Sequence, residues 1–394
     1  MPGRAEEDRE LRQQGRIARW LPSRGLCLAA LMFASGCSMF VQEHPAPAPP
    51  PEPEVHAPLA TQTFAFDPET TGVVGELQVT VARDDDTLAD IARRFNLGFD
   101  EILHANPGVD PWLPGGGTPI VLPTQFVLPD VKPEGVVINV AALRLFYFPK
   151  AGPGEPRVVT TYPIGIGKVG WATPLGRTKI VSKRKNPIWT PPASVRREHA
   201  EAGDPLPARV PAGPDNPLGT RAMNLGWPSY LIHGTNKPAG VGMRASHGCI
   251  RLYPEDVEAL YEQLPTGTRV TIVNQPLLYR WQHDRLYVQS YPPFEDHEHD
   301  ADSARRALLE ELGDERTMQR LADAGGVIDP ALTEQVIDEA RGIAVPVTVA
   351  GSTYDAFVAS ARLVENSVPV GSNWHGLDQQ EPEAGDPLAG STGP

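Results

Sequence analysis

Gly135-Val136-Val137-Ile138-Asn139-Val140 and Leu143-Arg144-Leu145-Phe146-Tyr147-Phe148 decide the fold class. Both runs are rich in β-branched and aromatic residues and too short for ordinary helices, so they read as strands. Val158-Val159-Thr160-Thr161-Tyr162, Tyr230-Leu231-Ile232 and Thr268-Arg269-Val270-Thr271-Ile272-Val273 extend the pattern outward, broken by Pro and Gly turns. One helix is predicted at Pro254–Gln263, with Pro265 closing it. Many short strands around turns place residues 134–275 in a mainly β domain of sandwich or barrel type.

Upstream, residues 76–124 read as a compact α/β unit. Leu77–Val81 alternates as a strand, and Asp86 is a plausible N-cap for a helix carrying Leu88, Ile91, Ala92 and Phe95 on one face. Phe99, Ile102 and Leu103 mark a second helix that stops before Asn106-Pro107, and Ile120-Val121-Leu122-Pro123 is a closing strand. This strand–helix–helix–strand order, with Asp86-Thr87-Leu88 and Ala105-Asn106-Pro107, resembles a LysM domain. That resemblance implies binding to the glycan strands of peptidoglycan. Its bland counterpart is a degenerate unit that only packs on its neighbour.

At the N-terminus, Arg12, Arg16, Arg19 and Arg24 precede the apolar run Leu26–Ala34, the pattern of a signal peptide. The run is too short to span a bilayer. Ala34-Ser35-Gly36-Cys37 resembles the lipobox of bacterial lipoproteins, which implies cleavage after residue 36 and a lipid on Cys37. Ser38, where Asp often retains such proteins at the inner membrane, points to the outer membrane, facing the periplasm. Residues 37–75 are expected to be a Pro-rich tether, with polyproline-II character over residues 43–58.

The chain carries a net charge of −14, distributed unevenly. From Tyr291 onward 20 Asp and Glu face 6 Arg, whereas Glu134–Ser290 carries 19 Lys and Arg against 11 Asp and Glu. The balance disfavours nucleic acid as a partner. Residues 276–394 therefore read as an acidic extension. It has helical periodicity over Asp302–Ala322, a further helix at Pro330–Arg341 capped by Asp329, and a disordered tail from Asp378. A salt-screened contact with the basic domain would let this segment modulate access to it.

Three cysteines are present, and Cys27 and Cys37 belong to the leader, so Cys249 is the one thiol of the body. A lone exported cysteine is either a buried inert residue or a nucleophile. His233, at the end of an apolar strand, and His247 are candidate bases, because an imidazole within reach takes the thiol proton. Gly248 permits tight backbone geometry, and amides around Gly248 and Cys249 are candidate oxyanion donors. His233, His247 and Cys249 are also three conceivable zinc ligands, disfavoured because two of them stand only two residues apart and no second cysteine accompanies them.

His233-Gly234-Thr235 followed by Ser246-His247-Gly248-Cys249-Ile250-Arg251 resembles the active-site signature of YkuD-type L,D-transpeptidases. Thr173-Pro174-Leu175-Gly176, Gly213-Pro214-Asp215-Asn216-Pro217-Leu218-Gly219 and Gly267-Thr268 match further. The resemblance implies a cysteine nucleophile, Cys249, with His233 as general base and acid and the Gly234 carbonyl orienting it. Ser246, His247 and Gly248 would shape the pocket, and Arg251 would bind a stem-peptide carboxylate or make a structural ion pair. It implies no cofactor and no metal. Its partners would be peptidoglycan stem peptides, glycan strands and, as one acceptor, a wall-tethered lipoprotein. The rival readings are hydrolysis or D-amino-acid exchange on the same thioester, and an inert wall-anchoring module.

Overall fold

The computed structural model describes residues 62–294, 298–349 and 351–367. The signal peptide, Cys37, the polyproline stretch and the tail from Asp378 lie outside the described residues. The chain begins with strands β1 (Thr63–Ala65), β2 (Val73–Gly75) and β3 (Gln78–Val81), helices α1 (Leu88–Arg94) and α2 (Phe99–Ala105), and strands β4 (Pro119–Leu122) and β5 (Gln125–Val127). There follow β6 (Gly135–Asn139), β7 (Arg144–Phe148), β8 (Val158–Pro163), β9 (Ile166–Gly167), β10 (Gly176–Lys185), α3 (Ala193–Glu201) and β11 (Arg221–Leu225). Next come β12 (Leu231–His233), a 3₁₀ turn at Pro238–Gly240, β13 (Arg244–Ser246), β14 (Ile250–Arg251), α4 (Pro254–Gln263) and β15 (Arg269–Val273). The extension adds β16 (Leu277–Gln282), β17 (Arg285–Ser290), α5 (Glu298–Gly313), α6 (Glu315–Asp323), α7 (Pro330–Glu339), β18 (Val345–Pro346), α8 (Tyr354–Ala359) and β19 (Arg362–Leu363).

The protein is mainly β. Its centre is a nine-stranded sheet in the order β1-β8-β7-β6-β15-β10-β11-β12-β14. Neighbours run antiparallel except at β6–β15 and β12–β14. Alternation along β6 and β7 sends side chains into two cores. Val136, Ile138, Leu145 and Tyr147 meet Ile180, Met223, Ile232 and Ile250, and α4 adds Val257 and Leu260. Strands from distant parts of the sheet reach this one core, so the sheet curls around α4.

Val137, Phe146 and Phe148 face the other way and pack with Leu88, Ile91, Ile102, Ile120 and Leu122. This second core corrects the expected organisation. Residues 76–124 hold the strand–helix–helix–strand order, with β3 antiparallel to β4, but they share their core with the large sheet. A buried ion pair crosses the junction: Arg144 Nε and Nη2 donate to the two Glu101 oxygens at 2.6 and 2.8 Å. The N-cap of α1 is Thr87, not Asp86. Thr87 Oγ1 accepts from the Asp90 amide at 3.2 Å, and the Asp90 carboxylate accepts from the Thr87 amide at 2.9 Å. Asp86 instead pairs with Arg94.

The tether is shorter than expected. Residues 62–75 are folded: β1 pairs with β8, and the alternating Phe64 and Phe66 pack on Phe126 and Phe148. Two aromatics on one strand face bury enough apolar surface to hold an edge strand in place. At the other end, the helical stretch expected over Asp302–Ala322 is two helices. They part after Gly313, where Asp314 caps α6 by accepting from the Arg316 amide at 3.0 Å. Asp329 caps α7, accepting from the Leu332 amide at 3.0 Å. Leu308, Leu332, Val336 and Tyr354 bury with Leu286 and Val288 of the β16–β17 hairpin and with Leu77 and Ala105 of the small unit. β19 then lies parallel to β3 as the third strand of its sheet. Among the described residues no helix is long and apolar enough to cross a membrane.

Candidate active site

Ile232 and Ile250 place the site. They are partners in the parallel β12–β14 pair and both are fully buried in the curled core. Because successive side chains alternate, His233 and its register partner Arg251 project from the opposite face of these two strands, and Cys249 immediately precedes β14, two residues from Arg251. Two apolar anchors thus aim His233 and Arg251 in one direction beside the segment that carries the thiol.

His233 is 3% exposed. Its Nδ1–H donates to the Gly234 carbonyl at 2.6 Å. That bond fixes the tautomer, leaving Nε2 as the lone-pair nitrogen. Burial first, and then the Arg251 charge, pull the His233 pKa down to about 3. Gly234 is held from behind: a Cβ there would lie 2.9 Å from Val257 Cγ1, and Gly219 presses on it closely enough that a Cβ at Gly219 would lie 2.7 Å from the Thr235 nitrogen. Buried Asn216 ties down that turn, its Nδ2 donating to the carbonyls of Pro187 and Pro211 at 2.7 and 2.9 Å.

Cys249 is half-buried, and its thiol donates to the Ser229 carbonyl at 3.5 Å. Burial pushes the thiol pKa up, opposed by the Leu231 backbone and by the Arg251 charge. Arg251 is largely enclosed. Its Nε is buried without a hydrogen-bond partner, and no ion pair reaches its guanidinium among the described residues. The structural ion pair weighed for Arg251 is therefore absent among those residues.

Ser246 shapes the turn before the thiol. Its Oγ donates to the Cys249 carbonyl at 2.6 Å and accepts from the Gly248 amide at 3.1 Å. The Gly248 amide, one of the expected oxyanion donors, is thus spent on Ser246. Gly248 sits at φ +98°, and a Cβ there would meet Tyr230 Cε1 at 2.9 Å, so both conformation and space demand glycine. Thr173 Oγ1 donates to the Gly248 carbonyl at 3.0 Å and accepts from the Gly167 amide at 3.1 Å. His247 turns toward α3. Its Nε2–H donates to Glu198 at 3.1 Å, and Glu198 also pairs with Lys168. Trp171 packs edge-on against His247, with ring centroids 4.9 Å apart.

The structure therefore brings His233, Gly234, Ser246, Gly248, Cys249 and Arg251 together and sets His247 at the rim. Sequence reasoning missed Glu198 and Ser229. Glu198 lies in a stretch without periodicity. The backbone of Ser229, at φ +69°, carries its role, and no side-chain type announces that. Among the described residues no group of three His, Cys, Asp or Glu is arranged to hold a metal ion.

Residues 133–272 match the YkuD model, the L,D-transpeptidase catalytic domain. The chain is 45% identical over 225 residues to the probable L,D-transpeptidase YcfS of Escherichia coli (strain K12), a match covering 56% of this chain and 69% of that protein. The probable L,D-transpeptidase YbiS of the same organism is 42% identical, covering 59% of this chain and 75% of its own length. The probable L,D-transpeptidase ErfK/SrfK is 37% identical, covering 72% and 84%. These matches span more than two thirds of each relative, and the family match over residues 133–272 contains His233 and Cys249, so the chain belongs to the YkuD family of L,D-transpeptidases.

Proposed function

We propose that this protein is a cysteine-dependent transpeptidase acting on peptidoglycan tetrapeptide stems. Cys249 loses its proton to His233 Nε2 and attacks the carbonyl of the third stem residue. The imidazolium then gives that proton to the departing amine of D-Ala, leaving a thioester on Cys249. An acceptor amine attacks the thioester, His233 takes its proton, and the thiol is restored. The observation that carries this reading is His233 itself. Its Nδ1–H is committed to Gly234, so the free nitrogen is a base, and its strand pairs with the strand that directly follows the only cysteine among the described residues.

The electrostatics favour a neutral thiol and a neutral imidazole at rest. Burial opposes charge on both groups. The thiol proton is thus moved to His233 during the reaction and is not already there at rest. Arg251, charged, enclosed and without an ion-pair partner among the described residues, suits a substrate carboxylate. The excess of basic residues in Glu134–Ser290 favours the same acidic stems.

Further parts of the reading rest on the sequence. Cys37 would carry a lipid that anchors the protein at the outer membrane, facing the periplasm. Residues 76–124 would add glycan affinity, with Trp112, 58% exposed, offering an aromatic platform. The acceptor is either another stem peptide or the lysine of a wall-tethered lipoprotein, and mass spectrometry of muropeptides from cells with and without the gene separates these.

The central test is Cys249→Ala. Removing one sulfur from a half-buried site is expected to cost about 1–2 kcal/mol of stability, so the variant should fold and release no D-Ala from a soluble tetrapeptide stem. Release at the wild-type rate would overturn the mechanism.

A further inference from the structure

The nucleophile segment Ser246–Arg251 is gripped on both sides by one short stretch of the small unit. Upstream, the Phe99 and Asp100 amides donate to the carbonyls of Val241 and Gly242, both at 3.1 Å. The backbones there touch: a Cβ on Gly242 would lie 2.2 Å from Gly98 Cα, and one on Gly98 would lie 2.6 Å from Gly242 Cα. Gly242 leads directly into β13, which pairs with β9 and ends at Ser246. Downstream, the Tyr253 hydroxyl donates to the Leu97 carbonyl at 2.9 Å. Arg93 Nε and Nη2 each donate to a Glu255 carboxylate oxygen at 2.9 Å, and Asn96 Nδ2 donates to Asp256 at 2.7 Å. Every one of these anchors comes from residues 93–100, the end of α1, the turn and the start of α2.

We propose that residues 93–100 of the small unit are a positioning element for catalysis, fixing the chain on both sides of Cys249 so that the thiol stays aligned with His233. A unit whose outline suggests glycan binding thereby also sets the geometry of the reaction. The glycine pair explains the closeness. Only two residues without Cβ let the helix N-terminus reach the loop carbonyls directly. The downstream contacts are longer side chains that reach α4, whose first turn follows β14. Displacement at either anchor would be transmitted through few residues, because Gly242 and Tyr253 flank the signature by only a handful of positions. Misalignment of reacting groups by an ångström is costly to turnover and leaves ground-state binding largely untouched.

The inference rests on the reaction proposed above, and two readouts keep the two apart. Gly98→Ala and Tyr253→Phe are compared with wild type and with Gly240→Ala, where a Cβ meets nothing within 4 Å. D-Ala release from a soluble tetrapeptide stem gives kcat and KM, normalised to the thiol titrated by a small alkylating agent. Thermal melts confirm that each protein is folded at the assay temperature. The expected result is a fall in kcat of about tenfold in both variants, with KM within about twofold and Gly240→Ala unchanged. Cys249 alkylation should slow in the same two variants at a fixed pH. Wild-type kcat and alkylation in folded Gly98→Ala and Tyr253→Phe would overturn the proposal, as would losses that only track the folded fraction. Absence of turnover in the wild type, with the alkylation differences intact, would count against the reaction and leave the positioning role standing.

Discussion

His233 ends β12 and Cys249 directly precedes its partner strand β14, and their surroundings set a specific pH behaviour. A preformed thiolate–imidazolium pair would keep the thiol reactive into acid. Burial of both groups argues for the neutral pair, so Cys249 alkylation is expected to climb steadily through the alkaline range, as for an ordinary or raised thiol pKa. A plateau of reactivity reaching below pH 6 would contradict this. His233 also links stability to pH. Its folded pKa of about 3 lies below the unfolded value near 6.5. Between those values the unfolded chain binds a proton that the folded chain refuses. Acid therefore destabilises, stability rises with pH through that window, and above pH 6.5 the contribution is flat. At pH 5 the penalty is about 2 kcal/mol. Asp256, whose carboxyl is pushed up by burial and then by Glu255, has the opposite sign, so only a difference isolates the histidine. Urea midpoints of wild type and His233→Gln at pH 5 and pH 7.5 are expected to show a flatter pH dependence in the variant. Parallel slopes would mean that His233 titrates normally.

Strands and helices were legible where their side chains declared a buried face. Leu145, Phe146, Tyr147 and Phe148 mark β7 because one face packs on the curled core and the other on the small unit. Val257 and Leu260 mark α4, and the helix runs over the expected Pro254–Gln263. β10 was invisible: Arg177, Lys179, Arg184 and Lys185 on it are exposed, and no apolar alternation survives. β1 was hidden beside the proline-rich stretch. The signature residues were readable as chemistry, but Glu198 was not, since its role depends on α3 folding back over His247. Nor does sequence show that Arg144 is fully buried. That residue supplies the prediction at this scale. Glu101→Ala would leave a guanidinium buried without its carboxylate, at a cost of about 3–5 kcal/mol, read as a drop in denaturation midpoint. Replacing both partners, Glu101→Leu with Arg144→Met, should recover most of that loss. A single variant as stable as wild type would show that the pair does not hold the small unit to the sheet.

Across the whole molecule, the acidic extension is packed into the fold. Its helices cover Leu286 and Val288 and reach Leu77 and Ala105 on the small unit. Arg341 Nη2 donates to the Ala105 carbonyl at 2.8 Å. Removing residues 295–394 is therefore expected to lower the melting temperature by several degrees and to reduce turnover of a soluble stem at low and high salt alike. Higher activity at low salt in a folded truncation would instead support the electrostatic gating that the charge split suggested. The pairing of β19 with β3 carries a consequence of another kind. Thr80 Oγ1 donates to the Val364 carbonyl at 2.9 Å, across 284 positions of sequence. A ribosome makes residue 80 long before residue 364, so for most of synthesis the free side of β3 is an unmatched row of amides and carbonyls, open to any other extended peptide. A chain released before β19 is made would keep that edge open, available for pairing with another extended segment.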